Sequence, residues 1–140
     1  MLEIRDNKKT YILGGEEVHA LDGVDLVIPK GEFLAIMGAS GSGKSTLMQI
    51  LGLLDTPTSG SYRLLGKEVG SLDENELARL RNRHFGFVFQ QFFLLSKLSA
   101  LDNAALPLLY AGKAADKSPA RARLEQVSLL ERLSHRPNQL

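Results

Sequence analysis

Gly38-Ala39-Ser40-Gly41-Ser42-Gly43-Lys44-Ser45-Thr46 decides the reading of this chain. The stretch has the spacing of a phosphate loop: Gly, four residues, Gly, Lys, then Ser or Thr. Its glycines permit positive φ and close backbone approach, so successive amide N–H groups can curl into an anion-binding nest. A helix opening at about Ser45 would aim the positive end of its dipole at the same anion. Lys44 brings a mobile full charge to the β- and γ-phosphates, and the Ser45 hydroxyl suits Mg²⁺, a hard cation that prefers oxygen. At average residue usage the four fixed positions match by chance in roughly half a percent of chains this long. Glycines alone would make only a turn, so the flanks matter. Phe33–Met37, FLAIM, is a short apolar run of interior-strand type. Leu47, Ile50, Leu51 and Leu54 then share one face of a helix over 45–54. Strand, loop and helix together predict a nucleotide site.

Working outward, Val24, Leu26 and Ile28 alternate within Val18–Ile28, the period of a half-buried strand, and Pro29-Lys30-Gly31 marks a turn. Asp55–Gly60 breaks the first helix, and Tyr62–Leu65 reads as a short strand. Ser71-Leu72-Asp73-Glu74 has the form of a capping box and predicts a helix through about Arg83. Phe85–Phe89, FGFVF, is a second apolar run of strand type. Helices are expected over Leu98–Tyr110, with Pro107 as a kink or break, and over Pro119–Leu133, with Ser118 as N-cap. The pattern is a continuous α/β one without internal repeats.

Composition sets outer bounds. The 140 residues carry 17 Lys and Arg against 16 Asp and Glu, a formal charge of +1, which gives no electrostatic case for a nucleic-acid partner. The one basic cluster, Arg79, Arg81, Arg83 and His84, reads as a solvated helix end with Glu74 and Glu76 nearby. The lack of cysteine excludes disulfide frameworks, thiolate zinc sites and thiol catalysis. His19 and His135 have no partners at ligand spacing, so no transition-metal site is expected. The opening MLEIRDNKKT lacks the apolar core of a signal peptide. No stretch approaches the roughly 18 to 20 apolar residues of a membrane helix.

The string EFLAIMGASGSGKSTLMQILGLLDTPTSG resembles the nucleotide-binding domain of ATP-binding cassette transporters. HFGFVFQQFFLLSKLSALDNAALPL resembles the glutamine-loop region of the same family. FGFVFQQF and the terminal RPNQL look most like the branch serving lipoprotein release and macrolide export. The resemblance runs from Tyr11 to Leu140. It implies an α/β P-loop NTPase of the ABC ATPase type, with an N-terminal antiparallel β region, the start of a helical subdomain and an incomplete core sheet. Within one ATPase domain it implies an adenine-side β region over 1–30, a phosphate-loop core to the glutamine loop over 31–90 and a truncated helical subdomain over 91–140.

The same resemblance assigns roles. Tyr11 falls where the family places an aromatic that stacks on adenine. Gln90, directly after the FGFVF strand, matches the glutamine whose side-chain carbonyl reaches Mg²⁺ and the attacking water; Gln91 does not hold that place. Lys44 and Gln90 are then the catalytic candidates, and Ser45 and Gln90 the Mg²⁺ ligands. Gly38, Ala39, Ser40, Gly41, Ser42, Gly43, Lys44, Ser45 and Thr46 bind the nucleotide, with Ser40 near the γ-phosphate and Thr46 near the α-phosphate. Phe92, Phe93, Leu94 and Leu95 border the groove that receives a helix of a transmembrane permease, so ATP, Mg²⁺, that permease and a second nucleotide-binding domain are the implied ligands and partners. The implied location is cytoplasmic, on the inner face of the membrane through the permease.

Phosphoryl transfer also needs a second acidic Mg²⁺ ligand and further charge stabilisation. In the family these come from a Leu-Ser-Gly-Gly-Gln signature, an apolar strand ending in Asp-Glu, an aspartate loop and a switch histidine, none of which occurs here. Leu140 looks like the first residue of the signature. The expectation is therefore the ATP-binding portion of a transport ATPase that is inactive as these 140 residues alone. Two other readings stay open: a short non-hydrolysing nucleotide-binding or regulatory module, and a cytosolic cassette ATPase without transport.

Overall fold

The computed structural model describes residues 1–113 and 115–140. The chain divides into two units, Met1–Arg81 and Asn82–Leu140.

In the first unit, the described residues form an antiparallel sheet of four strands in the order β2-β1-β3-β4. The strands are β1 (Leu2–Leu13), β2 (Glu16–Ile28), β3 (Ser59–Leu64) and β4 (Lys67–Glu68). Gly14 and Gly15, at φ 62° and 88°, close the β1–β2 hairpin with the left-handed pair that a two-residue turn requires. The alternation of Val24, Leu26 and Ile28 does mark a half-buried strand, since each is more covered than the residue between. Helix α1 (Lys44–Leu51) buries Leu47, Ile50 and Leu51 of the expected apolar face, but it ends three residues before Leu54, which is 47% exposed. Ile4 and Tyr62 complete the centre of this core. The Tyr62 hydroxyl donates to the Leu51 carbonyl at 2.6 Å, satisfying one of the free carbonyls at the C-terminal end of α1. Burial pushes that phenol far above its usual pKa, so it remains a donor.

Several expectations need correction. Phe33–Met37 takes no place in the sheet, and Phe33 and Met37 are 93% and 88% exposed. An interior strand is stabilised by ladders on both sides, and no described strand pairs with this segment. Phe85–Phe89 is likewise outside the sheet, although its backbone is extended enough to stack Phe85, Phe87 and Phe89 in a row. Helix α2 (Glu74–His84) is capped two residues later than Ser71 suggested. Asp73 accepts from the Glu76 amide at 2.8 Å and Glu76 accepts from the Asp73 amide at 3.1 Å, a reciprocal box with a shorter, better acceptor.

In the second unit, α3 (Ala100–Tyr110) is capped by Ser99, whose Oγ accepts from the Asp102 amide at 3.1 Å. Asp102 also receives Lys117 at 2.7 Å. Pro107 lies inside α3 without ending it. Helix α4 (Ser118–Gln126) stops well short of Leu133, where Ser128 turns to φ 61° and a 3₁₀ turn follows over Leu130–Arg132. Ser118 is inside that helix and not its cap; its amide is held by the Asp116 carboxylate at 2.8 Å. The amides of Ala100 and Leu101 bond the carbonyls of His135 and Leu133, which ties the start of α3 to the C-terminal segment.

Asn7 is wholly buried in β1 beside a break in strand register, and neither its Oδ1 nor its Nδ2 has a partner among the described residues. An unsatisfied buried amide costs about 1–3 kcal/mol. Asn7→Val should therefore raise the free energy of urea unfolding by about 1 kcal/mol or more; a fall would show that the amide is stabilising.

Candidate functional site

Helix α1 begins at Gly43, which holds the left-handed conformation (φ 84°, ψ 0°) as N-cap without a side-chain cap. A β-carbon there would collide with the Ala20 carbonyl oxygen of β2 and meet Leu21 Cδ2 at 3.0 Å. Glycine is thus required twice over, by conformation and by the approach of the loop to the sheet. Gly41 is also left-handed, at φ 79°. The Ser42 amide bonds the Ala39 carbonyl at 3.3 Å, closing the loop. Lys44 folds back over it, with Nζ donating to the Ala39 carbonyl at 2.5 Å and to Ser42 Oγ at 3.4 Å. The first intrahelical bond runs from the Leu47 amide to the Gly43 carbonyl at 2.8 Å. By helix geometry the amides of Lys44, Ser45 and Thr46 have no partner within the helix. The first turn carries no acidic residue.

These features fit a phosphate group: a cradle in which side chains would clash, free amides at a helix N-terminus, and one lysine. The exposed Ser45 hydroxyl supplies an oxygen of the kind Mg²⁺ prefers. Among the described residues no group of three or more His, Cys, Asp or Glu could hold a metal ion.

Tyr11 belongs to the same unit. Its hydroxyl donates to Asp55 Oδ2 at 2.8 Å, and Lys9 Nζ donates to Asp55 Oδ1 at 2.6 Å and to the Thr56 carbonyl at 2.8 Å. Lys9 Nζ also sits 4.9 Å from the centre of the Tyr11 ring, within cation–π reach. Burial and then the Asp55 carboxylate raise the Tyr11 pKa, opposed by the Thr46 side chain from the first turn of α1. At Asp55, burial pushes the pKa up, but the bonds from Lys9, Tyr11 and the Thr56 amide outweigh it and hold the acid below its usual range. The turn after α1 is stitched to β1 by the Thr58 amide on the Lys8 carbonyl and the Thr10 amide on Thr58 Oγ1.

Lys9 and Asp55 were not singled out from sequence. Lys9 stands two residues before Tyr11, the spacing of one strand face, and that alternation was the available signal. Asp55 read only as a helix breaker, because its partners lie 44 and 46 residues away.

Gln90 belongs to the second unit and is exposed, as is Gln91. Phe92, Phe93, Leu94 and Leu95 are all exposed, at 88%, 70%, 43% and 52%, so none of them is core. Phe93 meets Phe89 edge-on at 5.1 Å.

A family model described as ABC transporter matches residues 21–140. The chain belongs to the ABC transporter family. It is 58% identical to the macrolide export ATP-binding/permease protein MacB of Chlorobaculum tepidum and 53% identical to that of Chlorobium phaeobacteroides, in each case over the whole chain and 22% of the relative. The chain thus spans about a fifth of the length of the curated relatives it matches. The solved structure of the ATP-binding cassette MJ0796, a dimer in a post-hydrolysis state bound to ADP and Pi, superimposes with a TM-score of 0.88 at 40% identity, covering 100% of this chain and 63% of that one. The P-loop NTPase fold of the ABC type and the likeness to the macrolide-export branch, both expected from sequence, are borne out.

The lowered Asp55 pKa means that its bonds stabilise the fold above the ordinary carboxylate pKa and are lost as pH falls through the lower folded value. Unfolding free energies of wild type and Lys9→Met should therefore differ at neutral pH and converge as pH drops below about 4. A constant difference across that range would show that the bond between Lys9 and Asp55 does not stabilise the fold.

Proposed function

We propose that this ABC transporter chain is the ATP-binding part of an exporter that couples ATP hydrolysis to movement of a substrate by a membrane permease. The phosphate loop with Gly43 pressed on Ala20 is the observation that carries this reading. The amides of Gly41–Thr46 hold the phosphates, with Ser40 and Thr46 hydroxyls at the two ends of the triphosphate. Lys44 leaves its bond to the Ala39 carbonyl for the β- and γ-phosphates. Tyr11 receives the adenine. Ser45 and Gln90 hold Mg²⁺, which when bound neutralises phosphate charge. Gln90 also orients the attacking water.

The exposure of Phe92–Leu95 supports a contact with the permease, since clustered apolar side chains on a surface mark interaction sites. The names of the MacB relatives, ATP-binding/permease proteins, support the same partner, and the dimeric state of the MJ0796 cassette supports a second nucleotide-binding domain. Placement on the cytoplasmic face through the permease follows from that partner. Among the described residues no helix is long and apolar enough to cross a membrane. The division into a β region over 1–30, a core over 31–90 and a helical subdomain over 91–140 rests on the likeness to the ABC family.

Two substitutions in the full-length protein test these roles. Lys44→Ala should lower ATP affinity or turnover roughly tenfold or more, because a charge-assisted contact to phosphate is lost; unchanged binding and rate would sink the assignment of the loop. Gln90→Ala should reduce turnover while leaving ATP affinity within about twofold, as expected for a group that orients water. Equal loss of both would mark a folding defect.

A further inference from the structure

We propose that Asp55 is a positioning residue for the nucleobase: through its bond to the Tyr11 hydroxyl it fixes the position of the ring on which the base stacks. The inference rests on the reading that Tyr11 receives the base, and it gives a function to two side chains, Asp55 and Lys9, that this reading leaves unused.

The carboxylate is built as a strut. It accepts from Lys9 Nζ at 2.6 Å and the Thr56 amide at 2.7 Å on Oδ1, and from the Tyr11 hydroxyl at 2.8 Å on Oδ2. An ionised carboxylate has about four acceptor sites, so three donors occupy most of them. Asp55 therefore has little capacity left for a metal ion or for the donors of a base. Its own position is also determined. The loop it opens is tied to β1 through Thr58, and the Leu54 amide before it bonds the Gln49 carbonyl of α1 at 2.8 Å. The side chains of Lys9 and Asp55 are only 12% and 26% exposed, so solvent competes weakly for the bond between them.

The effect expected from such a strut is preorganisation. A tyrosine anchored at Cα alone must give up rotameric freedom when a base stacks on it. Anchored at its hydroxyl as well, it has given up that freedom on folding. Ordering one such side chain on binding lowers affinity by about twofold to tenfold. The loss should appear only for ligands that carry a base, since the phosphate loop is held separately by Gly43 and β2.

The test measures equilibrium binding of ATP and of inorganic tripolyphosphate to the full-length protein. The variants are Asp55→Ala, Asp55→Asn, Tyr11→Phe, Tyr11→Ala and the double variant of Asp55→Ala with Tyr11→Phe. Asp55→Ala and Tyr11→Phe should each weaken ATP about threefold to tenfold and leave tripolyphosphate unchanged. The double variant should be no weaker than either single one, because both remove the same bond. Asp55→Asn, whose amide oxygen still accepts from the hydroxyl, should recover part of the loss. Tyr11→Phe removes one oxygen and keeps the ring, so it decides the matter even if Asp55→Ala does not fold. Equal weakening of ATP and tripolyphosphate, full additivity in the double variant, or no effect of Tyr11→Phe would each overturn the positioning role. If Tyr11→Ala also leaves the preference for ATP over tripolyphosphate intact, the assignment of Tyr11 to the base falls as well. If Tyr11→Ala abolishes that preference, only the role of Asp55 fails.

Discussion

Helix α1 is fastened to the sheet at both of its ends, and the rest of the first unit depends on that fastening. At its start, Gly43 lies so close to the Ala20 carbonyl of β2 that no side chain fits between them. At its finish, the turn from Asp55 to Thr58 is stitched along β1 by backbone and side-chain bonds from residues 8 to 11. Between these points Leu47, Ile50 and Leu51 are buried in the core, and Tyr62 reaches up from β3 to take the Leu51 carbonyl. The contact of Gly43 with β2 fixes the direction of the N-terminal amides, which is what an anion site built from backbone requires.

The same fastening links the two ends of the candidate nucleotide site. Lys44 and the loop amides lie at the N-terminus of α1, and the Asp55 strut that holds Tyr11 lies just past its C-terminus. In the proposed reading, phosphates and base are received by one rigid element and its attachments. Gln90 and the exposed Phe92–Leu95 stretch belong to the second unit, where Ser99, Asp102 and Lys117 organise the start of α3 and the C-terminal segment is hydrogen-bonded to it.

How legible was this in the sequence? The phosphate loop and the β2 alternation were, and so was α1 apart from its C-terminal end, because each depends on local spacing: glycines at fixed offsets, a 3.6-residue apolar period, a two-residue one. The family was legible in the string around the loop and in FGFVFQQF. The Lys9–Asp55–Tyr11 cluster was not, because it joins residues more than forty positions apart through a turn whose composition says only that a helix ends. Caps were misplaced by small margins at Ser71 and Ser118, where a neighbouring aspartate is the better acceptor. The strand assignments at Phe33–Met37 and Phe85–Phe89 failed for a different reason. An apolar run reports what a segment buries when neighbours are present, and no described strand pairs with either of these two, so they stay outside the sheet with most of their large side chains exposed.

The central claim is that the N-terminal amides of α1 bind phosphate and that Tyr11, held by the Asp55 carboxylate that follows α1, receives the base. Hydrogen–deuterium exchange of the full-length protein with and without ATP tests it most directly. The account predicts that ATP slows exchange together at the amides of 41–46 and at those of 55–58, with strand β3 unaffected. Slowing confined to other segments, with the amides of 41–46 exchanging as before, would contradict it.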